Sequence, residues 1–184
     1  MFEALRAVEY IYKEKNMKNT RKLLTWILVA VLVVLTVALV ACVDKPEPVH
    51  LTDLTLPELK DNQMAVIIKN GDNDYTSYVV TLGKGGTDAK TAEEVIQYLH
   101  DEADLYLDWK DGTYGKYLNG IGGAKPQSSS EWVTVLTNDS EFQDNASAYK
   151  IVYTVDDVTL VSATVGITEL TVKAGTVIYF EVVK

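Results

Sequence analysis

Few residues in this chain are of the types that do covalent or metal chemistry, and their scarcity narrows what it can do. There is one cysteine, Cys42, and there are two histidines, His50 and His100. One thiol cannot close an intrachain disulfide or build a cysteine metal cluster. The two histidines do not support a Ser-His-Asp site or a histidine metal cage. Asn70, Asp72 and Asp74 have the odd-position spacing of a calcium-binding EF-hand loop. Yet Tyr75 stands where that loop needs glycine, and Thr81 where it needs a bidentate acid. A turn with exposed acids accounts for them better. Gly83-Lys84-Gly85-Gly86-Thr87 lacks the order of a phosphate-binding loop. Asp104 and Asp108 could be drawn as an acid and a base, but surface acidity explains them. The chain is therefore expected not to be an enzyme, and to need no cofactor and no metal.

What remains are residues that make contacts. Tyr114 and Tyr117 lie in a stretch with Gly115, Gly120, Gly122 and Gly123. Tyrosine offers a flat apolar face with a polar tip. Glycine lets backbone approach a ligand closely and leaves N–H groups accessible. Asn119 offers both a donor and an acceptor. Tyr114, Tyr117, Asn119 and Gly120 are thus the candidate ligand-binding residues. Read differently, the glycines serve turns and the tyrosines cover the edge of a core. Trp109 and Trp132 fall on strands and read as core. Trp132→Ala is then expected to cost about 3–5 kcal/mol.

An exceptional segment precedes all of this. Leu23 to Ala41 is an uncharged apolar run, with Lys18, Arg21 and Lys22 before it. A basic stretch, an apolar stretch and small residues at the end are the layout of a secretory signal. The run closes on Leu39-Val40-Ala41-Cys42, which resembles the lipobox of bacterial lipoproteins. That resemblance implies a diacylglyceryl thioether on Cys42 and cleavage after Ala41. The alternative is a plain transmembrane helix with an incidental cysteine. Either way the positive charge keeps the N-terminus inside and sends the rest outside. Residues 1–16 carry Glu3, Glu9 and Glu14. Acids are unusual before such a segment, so Met17 is the expected start, or else 1–16 is a short cytoplasmic amphipathic piece.

Charge divides along the same line. The chain has 17 basic and 26 acidic residues, a net of -9. Six of the basic and three of the acidic ones precede Cys42, which leaves 11 against 23, a net of -12. A body this acidic repels phosphate backbones, so nucleic acid is not expected as a partner. It equally repels anionic headgroups, so the membrane is expected to be met through the lipid alone.

Three regions follow: a signal or anchor segment at 1–41, a lipidated Cys42 with a proline-containing tether over 42–62, and a domain over 63–184. Pro46, Pro48 and Pro57 make the tether read as extended and without regular structure, a spacer lifting the domain off the headgroups. His50 lies in it and reads as solvated. Met64–Lys69 and Tyr75–Leu82 read as a hairpin around the turn-rich Asn70–Asp74. Thr91-Ala92-Glu93-Glu94 is a capping box. Ala92, Val95, Ile96 and Leu99 then share a helical face, and His100 suits the helix C-terminus. Strands are expected at Leu105–Trp109, Trp132–Leu136, Tyr149–Thr154, Val158–Thr164 and Thr176–Val183. One helix after a hairpin, then several strands, is an α+β order. The expected fold is one small β-grasp-like domain, its helix packed on a mainly antiparallel sheet.

Three stretches carry a family resemblance: Tyr117–Gly123, Trp132–Asn138 and Val172–Phe180. Together they resemble the transcobalamin-like C-terminal domain family, which also occurs in bacterial surface lipoproteins. In animal relatives that domain helps enclose cobalamin, so the resemblance implies cobalamin as a ligand by analogy only. The expected function is a lipid-anchored extracytoplasmic binding module for a small molecule. The alternative is a surface interaction or adhesion domain for a protein or polymer.

Overall fold

Met64, Ala65, Val66, Ile67 and Ile68 are all buried, and five consecutive buried residues require a strand covered on both faces. That strand is the centre of the fold. A computed structural model describes residues 45–112 and 115–184. The segment 1–41, Cys42 and Tyr114 lie outside the described residues. Among those described are nine strands and one helix, so the domain has one helix and a core that is mostly sheet. The strands are β1 (Val49–Leu51), β2 (Gln63–Gly71), β3 (Asp74–Thr81), β4 (Leu107–Gly112), β5 (Gly115–Ile121), β6 (Trp132–Thr137), β7 (Val152–Val155), β8 (Val158–Ser162) and β9 (Val177–Val183). The helix, α1, is Ala92–Ala103.

Seven strands form one sheet in the order β1-β3-β2-β9-β6-β8-β7, and β4 and β5 form a separate ribbon. All pairings are antiparallel except β2 with β9, where Ala65 faces Val177 and Ile68 faces Phe180. The β2–β3 hairpin turns on Asp72-Asn73, with Asn73 at φ 54°. Asparagine tolerates that left-handed conformation better than most residues. The β7–β8 turn has Asp156 and Asp157 at φ 48° and 65°, the pattern of a tight hairpin matched to strand twist.

Helix α1 starts where its capping box demands. Thr91 Oγ1 accepts from the Glu94 N–H, and the Glu94 carboxylate accepts from the Thr91 N–H. It ends at Asp104, left-handed at φ 55°, whose N–H donates to the Leu99 carbonyl. His100 Nδ1 lies 2.8 Å from the Leu105 carbonyl oxygen, which ties the exit of the helix to the next segment. Ala92, Val95, Ile96 and Leu99 pack with Met64, Val66, Ile68, Val80, Ile178 and Phe180 on one sheet face. Burying each larger aliphatic side chain contributes about 1.5–3 kcal/mol.

The opposite face has its own cluster of Ala65, Ile67, Leu136, Leu160, Val177 and Tyr179. Part of its cover comes from an unexpected source. Leu54, Leu56 and Leu59 pack against it, and Val49–Leu51 pairs with β3 as an edge strand. The stretch read as a spacer is therefore, from Val49 onward, part of the domain. Its prolines remove N–H donors but do not stop an irregular segment from laying leucines on a sheet. His50 belongs to β1, with Nδ1 3.4 Å from Thr76 Oγ1. Among the described residues no helix is long and apolar enough to cross a membrane.

Candidate functional site

The stretch from Tyr117 to Ile121 is a strand rather than a loop. It pairs with β4 from Leu107↔Ile121 to Gly112↔Gly115, and the register shifts between Asp108 and Trp109. Asp108 faces Gly120 and Trp109 faces Leu118, so Asn119 is the extra residue of a bulge. Bulges re-aim side chains. Here the Asn119 amide is turned to donate to the Asp108 carboxylate.

The glycines do not present backbone to a ligand as expected. The Gly122 N–H donates to the Tyr106 carbonyl at 2.9 Å, and the Gly123 N–H to Asn70 Oδ1 at 2.8 Å. A Cβ on Gly123 would sit 2.5 Å from the Cβ of Asn70. Close approach is needed there, but to the protein's own β2–β3 hairpin. Gly120 is buried beside Asp108 and Tyr106 and lines neither of the clefts described below. Asn70, which the acidic turn had offered as a cation ligand, instead donates to Asp74 Oδ1 and Thr76 Oγ1.

Trp132 also departs from expectation. It is 54% exposed, not core. Its place in the strand explains why: Trp132 is the first residue of β6, opposite Val183, whereas Leu136, further along the same strand, is fully buried. Trp109 does pack against the core, though only partly buried.

Tyr117 and Trp132 define the site. A cleft of ≈ 660 Å³ is lined by Tyr117, Asn119, Gln127, Glu131 and Trp132 among others. A second, of ≈ 390 Å³, is lined by Trp109, Tyr117, Trp132, Val135 and Ile167 among others. Tyr117, Leu118, Trp132 and Val133 border both. Both volumes fall in the range of small-molecule sites. Tyr117 is 50% exposed. Among the described residues, no hydrogen bond, ion pair or ring contact engages the side chain of Tyr117 or Trp132. Tyr106, a comparably exposed ring, is by contrast covered by Lys125 Nζ at 3.9 Å from its centroid.

The polar rim of the larger cleft is organised by Glu131. Its carboxylate accepts from the Gln127 N–H at 2.6 Å and pairs with Lys184 at 3.3 Å. The Gln127 N–H, and then Lys184, hold its carboxyl below the ordinary range, so it is charged at neutral pH. Lys110 also lines this cleft.

Sequence reasoning thus brought two of its candidates, Tyr117 and Asn119, to one cleft. It missed Trp132, Glu131 and Gln127. No protein-family model matches the chain, and no curated protein matches it.

Proposed function

We propose that this chain is a lipid-anchored extracytoplasmic binding module that takes a small molecule at the Tyr117–Trp132 cleft. The carrying observation is that two half-exposed rings, without partners among the described residues, border the same two concavities. Exposed aromatic area costs hydration free energy in the empty protein and returns it when a ligand covers it. The anchor would be lipid on Cys42, read from the sequence that precedes it. The domain would be α+β and β-grasp-like, a reading supported by the hairpin, the single helix and a last strand parallel to the first strand of the hairpin. The resemblance to transcobalamin-like domains makes cobalamin one candidate ligand by analogy. No catalytic role is proposed for any residue, and no nucleic-acid partner.

Titration of the purified chain with hydroxocobalamin and with a small-metabolite library tests the reading, followed through the indole and phenol NMR signals of Trp132 and Tyr117. Selective shifts of these signals are expected. A library that leaves both unmoved would sink it. Fatty-acid labelling of cells tests the anchor, with labelling expected to vanish in Cys42→Ala. A second reading, a surface that binds protein or polymer, is favoured by the β7 edge, where Tyr149 is 94% and Val152 47% exposed. Tyr149→Ala should then weaken cell-surface association while Trp132→Ala leaves it intact.

A further inference from the structure

The cleft has a chemical character that narrows its ligand, if the binding reading above holds. Its apolar lining includes two half-exposed rings, Tyr117 and Trp132, beside Leu118, Pro126 and Val133. The uncharged polar lining is Asn119, Gln127, Ser128 and Ser129. Asn119 spends one amide hydrogen on Asp108 and keeps its carbonyl oxygen as an acceptor. Gln127 spends a side-chain N–H on the Lys125 carbonyl and likewise keeps an acceptor. Glu131 has one oxygen facing Lys184 and the other the Gln127 N–H, and each carboxylate oxygen has a second lone pair. The rim is therefore rich in acceptors.

Charge does not favour an anion. Glu131 is paired with Lys184, and the body carries a net of -12 after Cys42. Among the described residues, the lining holds one cation, Lys110, and one carboxylate, Glu131. An extended hydrocarbon would match the rings but offer no donor to the amides and the carboxylate. The matching ligand has a flat C–H face for a ring and an equator of hydroxyl donors for the acceptors, and it carries no charge.

From this we infer that the Tyr117–Trp132 cleft is a binding site for a neutral saccharide, with a pyranose ring stacked on Trp132 and its hydroxyls donating to Asn119, Gln127 and Glu131. The larger volume beside the rings leaves room for more than one sugar unit. Tyr117, which borders both concavities, would carry a neighbouring unit.

The test uses the full chain in a detergent without a sugar head group. Probes are cellohexaose, chitohexaose and maltohexaose by tryptophan fluorescence, and a printed array of neutral glycans. Binding to at least one glycan is expected, with a shift in tryptophan emission. Trp132→Ala should weaken it at least about tenfold, and Trp132→Tyr should keep most of it, because a stacking face survives. Melting temperature should be unchanged in both, which separates loss of the site from loss of the fold. No binding to any neutral glycan, or binding that Trp132→Ala leaves intact, overturns the saccharide assignment. The two readings fail separately. If hydroxocobalamin or a library compound shifts the Trp132 signal while no glycan binds, the cleft stands and the sugar falls. If nothing shifts it, both fall.

Discussion

Two groups of aromatic side chains in this molecule have met opposite fates. Tyr153 and Tyr179 meet edge to face, ring centres 5.5 Å apart. Both hydroxyls donate to the carboxylate of the buried Glu181, at 3.1 and 3.4 Å, and Lys69 Nζ lies 3.5 Å from the same oxygen. Tyr117 and Trp132 are half-exposed and have no such partner among the described residues. Composition does not distinguish the groups. What differs is whether the fold supplies a polar partner for the tip and a second element for the face. Where it supplies both, the ring is structure. Where it supplies neither, the ring is left for something else.

Tyr179→Ala should break the buried group outright, with a loss of about 3–5 kcal/mol in denaturant unfolding, the range for removing a large buried aromatic. A loss below that range would mean that the second face of the sheet is less well covered than Leu54, Leu56 and Leu59 imply.

Two glycines sharpen the contrast at smaller scale. Gly123→Ala puts a methyl against Asn70 and should cost about 1–3 kcal/mol. Gly120→Ala meets no atom closer than 3.5 Å and should be nearly silent. Equal effects in urea melts would contradict the clamp between Gly123 and Asn70.

Tyr153 allows a titration. Burial, and then the Glu181 charge, raise its phenol from the ordinary 10.0 to about 12. The folded state therefore holds this proton more tightly than the unfolded chain. Its contribution is complete below pH 10 and fades as the pH climbs through 12. Tyr153→Phe should remove that part of the alkaline loss, at a cost near neutral pH of about 0.5–1.5 kcal/mol for the hydrogen bond. An unchanged alkaline melting profile in the variant would deny that burial and Glu181 raise this phenol.

Trp132→Ala is expected, like Gly120→Ala, to change stability little, within about 0.5 kcal/mol, because the ring is half-exposed. A loss several times larger would place the ring in the core and remove the basis of the site.

These contrasts show what the sequence could and could not reveal. The capping box at Thr91–Glu94 announced α1, because its signals are local and each has one physical meaning. The Asn70–Asp74 turn announced the first hairpin for the same reason. Strand β5 was not visible, since Gly120 and Gly122 mimic a loop when their partner strand is unknown. The role of residues 49–59 was hidden because prolines are conspicuous, and leucines that cover a distant sheet face are not. The exposure of Trp132 depends on where β6 begins relative to the end of β9, a long-range fact. The candidate site was half legible: Tyr117 and Asn119 could be picked by type, while Glu131 and Gln127 come to the same cleft only through tertiary structure.

The parallel pairing of β2 with β9 has a consequence in time. The most buried strand, β2, cannot complete its ladder until β9, far along the chain, is in place. Contacts between such distant positions make folding slow, and no early fragment can finish the central sheet alone. The central sheet therefore closes only when β9 docks beside β2, and until then β2 has its hairpin partner β3 alone.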